Sequence, residues 1–133
     1  MAEKNKKIEI LIEDLIKFTR ENKIKWQYAS NNKDISMTLY RILGQKAPFY
    51  DGYSTTDNCF YAEINNGYMI VIERSSSTPP NQYYLAVVPN VRAKVFEIYD
   101  LPQAHIVRLH SLILKKSPNV ENYLTNVFNT FRE

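Results

Sequence analysis

Few residues in this 133-residue chain have side chains suited to chemistry: two histidines, one cysteine and a scatter of carboxylates. His105 and His110 stand five positions apart in a helix-forming stretch, which sets them about 140° apart around the axis. A helix that grips a metal with two imidazoles carries them four apart, on one face. These two therefore do not form a ligand pair. His110 falls beside the stripe Ile106, Leu109 and Ile113 and is expected to pack partly buried against the body; His105 is expected at the surface near the helix start.

Cys59 could act as a nucleophile only with a base and an electropositive setting. Neither histidine is near it in sequence, so it reads as a small residue opening a strand. A single thiol also excludes an intramolecular disulfide and a cysteine-rich zinc site, and it suits a reducing compartment. The carboxylates Asp51, Asp57, Glu63 and Glu73 surround a long loop and a hairpin. Hydrolysis by a carboxylate pair would require two of them aimed at one bond. Asp51-Gly52 is better explained as a turn, and Asp57-Asn58 as the entry to a strand. The three glycines, Gly44, Gly52 and Gly67, each have a turn or cap to serve, which leaves no phosphate-cradling loop. Calcium-loop and nucleophile-elbow spacings are missing too. The reading nominates no catalytic residue, metal ligand or cofactor, and leans away from an enzyme.

Tyrosine is the informative excess, at ten residues. Tyrosine supplies stiff contact area with a hydroxyl at its tip, which suits interfaces, although strands also favour it. Tyr28 and Tyr123 are expected in the core. Tyr50, Tyr53, Tyr61, Tyr68, Tyr83 and Tyr84 are expected in loops or on a second sheet face.

The elements that would hold these residues follow from periodicity. Ile8, Leu11, Ile12, Leu15, Ile16 and Thr19 recur at helical spacing and predict a helix over 7–22, after a disordered tail at 1–6. Alternation predicts a strand over 24–29. A short helix follows over 35–43, capped by Asp34 and stopped by Gly44, with a strand over 37–43 as the competing reading. Residues 44–58 read as a long loop carrying Phe49, Tyr50 and Tyr53, of the length that is usually functional or disordered. Strands over 59–64 and 68–74 meet at Asn65-Asn66-Gly67, a hairpin signal that admits either of two adjacent turns. In both registers Phe60, Ala62, Ile64, Met69 and Val71 share one face, while Tyr61, Glu63, Tyr68, Ile70, Ile72 and Arg74 share the other. Further strands over 83–88 and 94–99 complete a sequential, antiparallel meander of about five strands. Helices over 103–116 and from Ser117-Pro118 close the chain, the last with the stripe Val120, Tyr123, Leu124, Val127, Phe128 and Phe131.

The expected fold is a single α+β domain over 1–133 in two layers. An N-terminal helix and two C-terminal helices pack on one face of the meander, and the tyrosine-rich face is left free. The net charge of +3 comes from dispersed lysines, unlike the concentrated patch of a dedicated nucleic-acid binder. The N-terminus lacks the apolar stretch of a secretory signal, and no apolar run reaches the ~20 residues that cross a bilayer. With the lone cysteine, this sets the expectation at the cytoplasm, with no membrane partner. The richness in Lys, Asn, Ile and Tyr is what AT-rich codons produce, a hint of a low-GC bacterium or its phage.

The function expected from these features is a small non-enzymatic binding module of the accessory or inhibitor kind. Its partner is another protein or a second copy of itself. The contact residues expected are Phe49, Tyr50, Tyr53, Tyr61, Tyr68, Ile70, Ile72 and Arg74. One alternative is a nucleic-acid binder, with bases stacked on the tyrosine face and Lys25, Arg74, Arg92 and Lys94 along the backbone. A second is a small-molecule sensor or enzyme with a pocket between helices and sheet.

Overall fold

The first helix, α1 (Ala2–Arg20), begins earlier than its apolar pattern, so residues 2–6, expected as a disordered tail, form its opening turns in the computed structural model. That structure describes residues 2–46, 58–74, 81–90, 95–100, 102–116 and 118–132. Ile8, Ile12, Leu15, Ile16 and Thr19 are buried along one side of α1, as their spacing requires. The helix ends where Asn22 takes a left-handed conformation (φ 59°). This lets the Lys23 amide donate back to the Phe18 carbonyl at 2.9 Å. Asparagine tolerates this conformation better than other non-glycine residues.

The segment after α1 enters the sheet later than alternation predicts: β1 is only Gln27–Tyr28, followed by a 3₁₀ turn, Ala29–Asn31. The cause is Trp26, whose indole N–H donates to Thr19 Oγ1 at 2.9 Å in a buried setting. That bond holds residue 26 against α1 and satisfies both polar groups where an unpaired one would be costly. Helix α2 (Lys33–Lys46) is longer than expected and passes through Gly44. Its cap is Asn32, not Asp34: Asn32 Oδ1 accepts from the amides of Asp34 (3.0 Å) and Ile35 (3.1 Å).

Strands β2 (Phe60–Ile64), β3 (Gly67–Arg74), β4 (Gln82–Asn90) and β5 (Val95–Tyr99) join β1 in a five-stranded antiparallel sheet with sequential order. Ile64 pairs with Gly67, so the hairpin turn is Asn65-Asn66. Both asparagines have positive φ, 52° and 66°, the twist-matched geometry of a two-residue hairpin. Gly67 is then fixed by close approach: a Cβ there would lie 2.7 Å from the Val88 carbonyl oxygen. Helix α3 (Gln103–Lys115) is clamped to the sheet by its first residue. The Gln103 amide group donates to Tyr83 O at 2.6 Å and accepts from Tyr83 N at 3.2 Å, as a neighbouring strand would. Helix α4 (Pro118–Arg132) starts with proline at its first position, where the missing N–H costs nothing.

Face sorting along the hairpin is as the sequence predicts. Phe60, Ala62 and Val71 join Leu85, Trp26 and the buried stripes of α1 and α3 in one core. The layering differs from expectation. The opposite face is covered as well: Ile35 and Leu39 of α2 cluster with Cys59, Tyr61, Ile70, Ile72, Tyr84, Ala86 and Val88 in a second core. The sheet is therefore a middle layer between α1/α3 and α2. The physical reason is the apolar content of that face. Ile70, Ile72 and Ala86 have no exposure at all, and burying each isoleucine is worth about 1.5–3 kcal/mol. By contrast, α4, expected on the same sheet face as α1 and α3, keeps most of its described side chains exposed.

Candidate functional site

His110 and Cys59 approach the same strand entry from opposite sides of the sheet. His110 Nε2 lies 2.7 Å from the Asn58 carbonyl, so it donates to it, and its ring packs against Phe60 and Tyr83 in the first core. The buried Cys59 thiol belongs to the second core and points to the Glu73 carbonyl, 3.9 Å away. The sheet separates thiol from imidazole, so they do not form a nucleophile–base pair. A carboxylate does converge here. Glu73 accepts from the Tyr83 hydroxyl at 2.7 Å and from Asn58 Nδ2 at 3.1 Å, one bond to each oxygen. Burial and this carboxylate together push the Tyr83 hydroxyl up to about 12. The cluster is internally satisfied, and the groove of about 780 Å³ on this protein is not lined by His110, Cys59 or Glu73. Its chemistry is structural: it ties β2, β3, β4 and α3 together.

His105 is half-buried rather than exposed at the surface. Its Nε2 faces the carboxylates of Glu9 (3.3 Å) and Glu13 (3.5 Å) across the α1–α3 seam, and Arg108 reaches Glu13 at 2.7 Å. Lys116 closes the other end of that seam on the Arg20 carbonyl and Asn22 Oδ1, both at 3.0 Å. These contacts set the angle between two helices. Among the described residues, no group of three or more His, Cys, Asp or Glu could hold a metal ion.

The predicted contact residues divide three ways. Phe49, Tyr50 and Tyr53 lie outside the described residues. Ile70 and Ile72 are fully buried beneath the second-face layer, which corrects the expectation that they face a partner. Tyr61 is buried too, and its hydroxyl donates to Gln27 Oε1 at 3.2 Å and accepts from Asn32 Nδ2 at 3.5 Å. Of the described contact residues, only Tyr68 and Arg74 keep part of their surface. Tyr68 rests against the Tyr61 ring at 5.7 Å, and burial, then the Glu63 charge, raises its hydroxyl pKa. Arg74 bonds Gln82 Oε1 at 3.1 Å. Tyr61 and Tyr84 are both buried, so neither offers a ring face to a stacked base. Arg92 and Lys94 lie outside the described residues.

Among the described residues, two surfaces stand out. The first is a groove of about 780 Å³ near the β1 edge of the sheet, whose lining mixes Leu15, Phe18, Ile24 and Met69 with Asp14, Lys25, Glu63 and Tyr68. The second is α4. Tyr123, expected in the core, is 67% exposed, and Leu124, Phe128 and Phe131 are 58%, 53% and 83% exposed. Val127 is half-buried between them. These residues recur at helical spacing and so form one continuous apolar face. A patch built from several large side chains lies towards the upper end of what a monomer leaves bare, and patches of that size are often functional. The sequence shows this stripe plainly; what it does not show is that the stripe misses the core. No described helix is long and apolar enough to cross a membrane. Neither a family model, nor a curated protein, nor a solved structure matches this chain.

Proposed function

We propose that this chain is a small non-enzymatic module that works through protein–protein contact, and that α4 is its contact element. The observation that carries the reading is the continuous apolar face of Tyr123, Leu124, Phe128 and Phe131, all more than half exposed. An amphipathic helix that offers anchors at such spacing is a standard recognition element. Aromatic anchors contribute most where they become fully desolvated. This moves the contact surface away from the tyrosine face of the sheet. The test is capture of partners by the full chain and by Leu124→Asp/Phe128→Asp. A partner held by the parent and lost by a variant that melts at the same temperature supports the reading. Identical captures by both would sink it.

A second reading is favoured by the groove, whose volume and mixed lining fall within the range of small-molecule sites. On this reading a partly apolar ligand with hydrogen-bonding groups sits near Phe18 and Met69. A ligand screen by thermal shift, repeated on Met69→Trp to fill the groove, separates the two readings. A stabilising ligand lost in the filled variant supports the second.

A further inference from the structure

We infer that the α4 face is covered by α4 of a second copy of this chain, in an antiparallel, two-fold pair. The inference rests on the reading of α4 as the contact surface and adds who the partner is. In an antiparallel two-fold pair residue i meets j and j meets i, an arrangement suited to a pattern that reads much the same in both directions. That of α4 does. Reversed end for end, Tyr123 maps onto Phe128 and Leu124 onto Val127; in the sequence, Phe131 maps onto Val120. Leu124 so meets the smaller Val127, and Tyr123 meets Phe128 as one aromatic ring meets another. A parallel pair would stack Phe131 on Phe131 at one end and valine on valine at the other, crowding one layer and leaving the other slack.

Area and charge agree with this occupant. A fully exposed aromatic side chain presents roughly 150–250 Å². At the observed exposures, Tyr123, Leu124, Phe128 and Phe131 contribute on the order of 500 Å² per copy. Two copies then bury about 1,000 Å², the lower bound for a specific interface. Glu121 and Arg132 are the only charges in the helix sequence and cancel, so two helices approach without net repulsion. Arg132 stacks on the Phe128 ring, 3.7 Å from its centroid, and the rest of the polar side is Asn and Thr. A helix that lies on an anionic membrane instead carries Lys and Arg along its polar face.

The test is the oligomeric state of the full chain by sedimentation velocity up to ~100 µM, with orientation read by disulfide trapping. The parent is expected to be dimeric at the upper concentrations. Phe128→Asp is expected to weaken the dimer at least about tenfold, with its melting temperature at high dilution unchanged. Mixed Leu124→Cys and Val127→Cys chains are expected to form the mixed disulfide. Phe131→Cys should not link to itself, because the two positions lie roughly 16 Å apart along an antiparallel pair. A self-linked Phe131→Cys dimer would replace the antiparallel arrangement with a parallel one and overturn the inference. So would a monomeric parent, or a dimer indifferent to Phe128→Asp. If the parent is monomeric yet captures another protein through Phe128, the second-copy inference falls while the contact-surface reading stands. If Phe128→Asp changes neither dimerisation nor capture, both fall.

Discussion

The layer formed by α2 is the feature most at odds with a two-layer fold, and truncating Leu39 and Ile70 tests it. Both side chains have no exposure and belong to one cluster. Leu39→Ala and Ile70→Ala each remove three carbons. At about 0.8 kcal/mol per buried methylene this costs about 2.4 kcal/mol. A partly collapsed cavity adds about another 1 kcal/mol, so each variant should lose about 3–4 kcal/mol. That is a large share of the roughly 5–15 kcal/mol that stabilises a domain of this kind. The assay is urea unfolding of the parent, both single variants and the double variant, followed by circular dichroism with the m-value monitored. Because the two residues share a cluster, the double variant should depart from additivity by about 0.5 kcal/mol or more. A loss below about 1 kcal/mol for Leu39→Ala, with Ile70→Ala still costly, would mean that α2 does not seal the sheet. The sheet would then lack a third layer.

Three further outcomes follow from individual contacts. Gly67→Ala places a Cβ about 2.7 Å from a backbone oxygen of β4, so the strands must separate locally; thermal melting should show a loss of about 1–3 kcal/mol. Thr19→Val leaves the indole N–H of Trp26 buried without an acceptor; the expected loss is about 1–3 kcal/mol, with a shifted fluorescence maximum because Trp26 is the only tryptophan. Tyr83 and Tyr99 have hydroxyls raised to about 12, the first by burial and Glu73, the second by its bond to Glu97 and burial. A pKa raised in the folded state favours folding fully below the unfolded value of 10.0 and loses that effect as pH climbs towards 12. The urea midpoint should therefore fall across that window, and Tyr83→Phe/Tyr99→Phe should flatten the fall; an unchanged slope would refute the assignment.

Much of the fold is legible in residue pattern because its determinants are local. The Asn65-Asn66 turn, the alternation that sorts Phe60 from Tyr61, and the α1 stripe each state their geometry within a few residues. The misjudged boundaries come from contacts between distant positions. Trp26 leaves the alternation of its own segment to bond Thr19. Asn32 outcompetes Asp34 as a cap because its carbonyl oxygen reaches two amides at once. Tyrosine misled for a related reason: a ring that looks like an interface anchor is equally suited to a core once its hydroxyl finds partners, as Tyr61 does with Gln27 and Asn32.

The same ambiguity governs the candidate surface. The stripes of α1 and α4 have the same helical period and similar apolar content, yet one is buried and the other bare. Periodicity reports that a face wants cover; it does not report what covers it. For α1 the answer lies within the chain, since Ile12, Leu15 and Ile16 share a core with Phe60 and Leu109. For α4 it does not: Tyr123, Leu124, Phe128 and Phe131 all stay more than half exposed, so the stripe either remains in water or meets another molecule. Burying that stripe is worth several kcal/mol, so its exposure is unfavourable in the isolated chain. The strongest expectation for this protein is therefore that its exposed aromatics are occupied wherever it works.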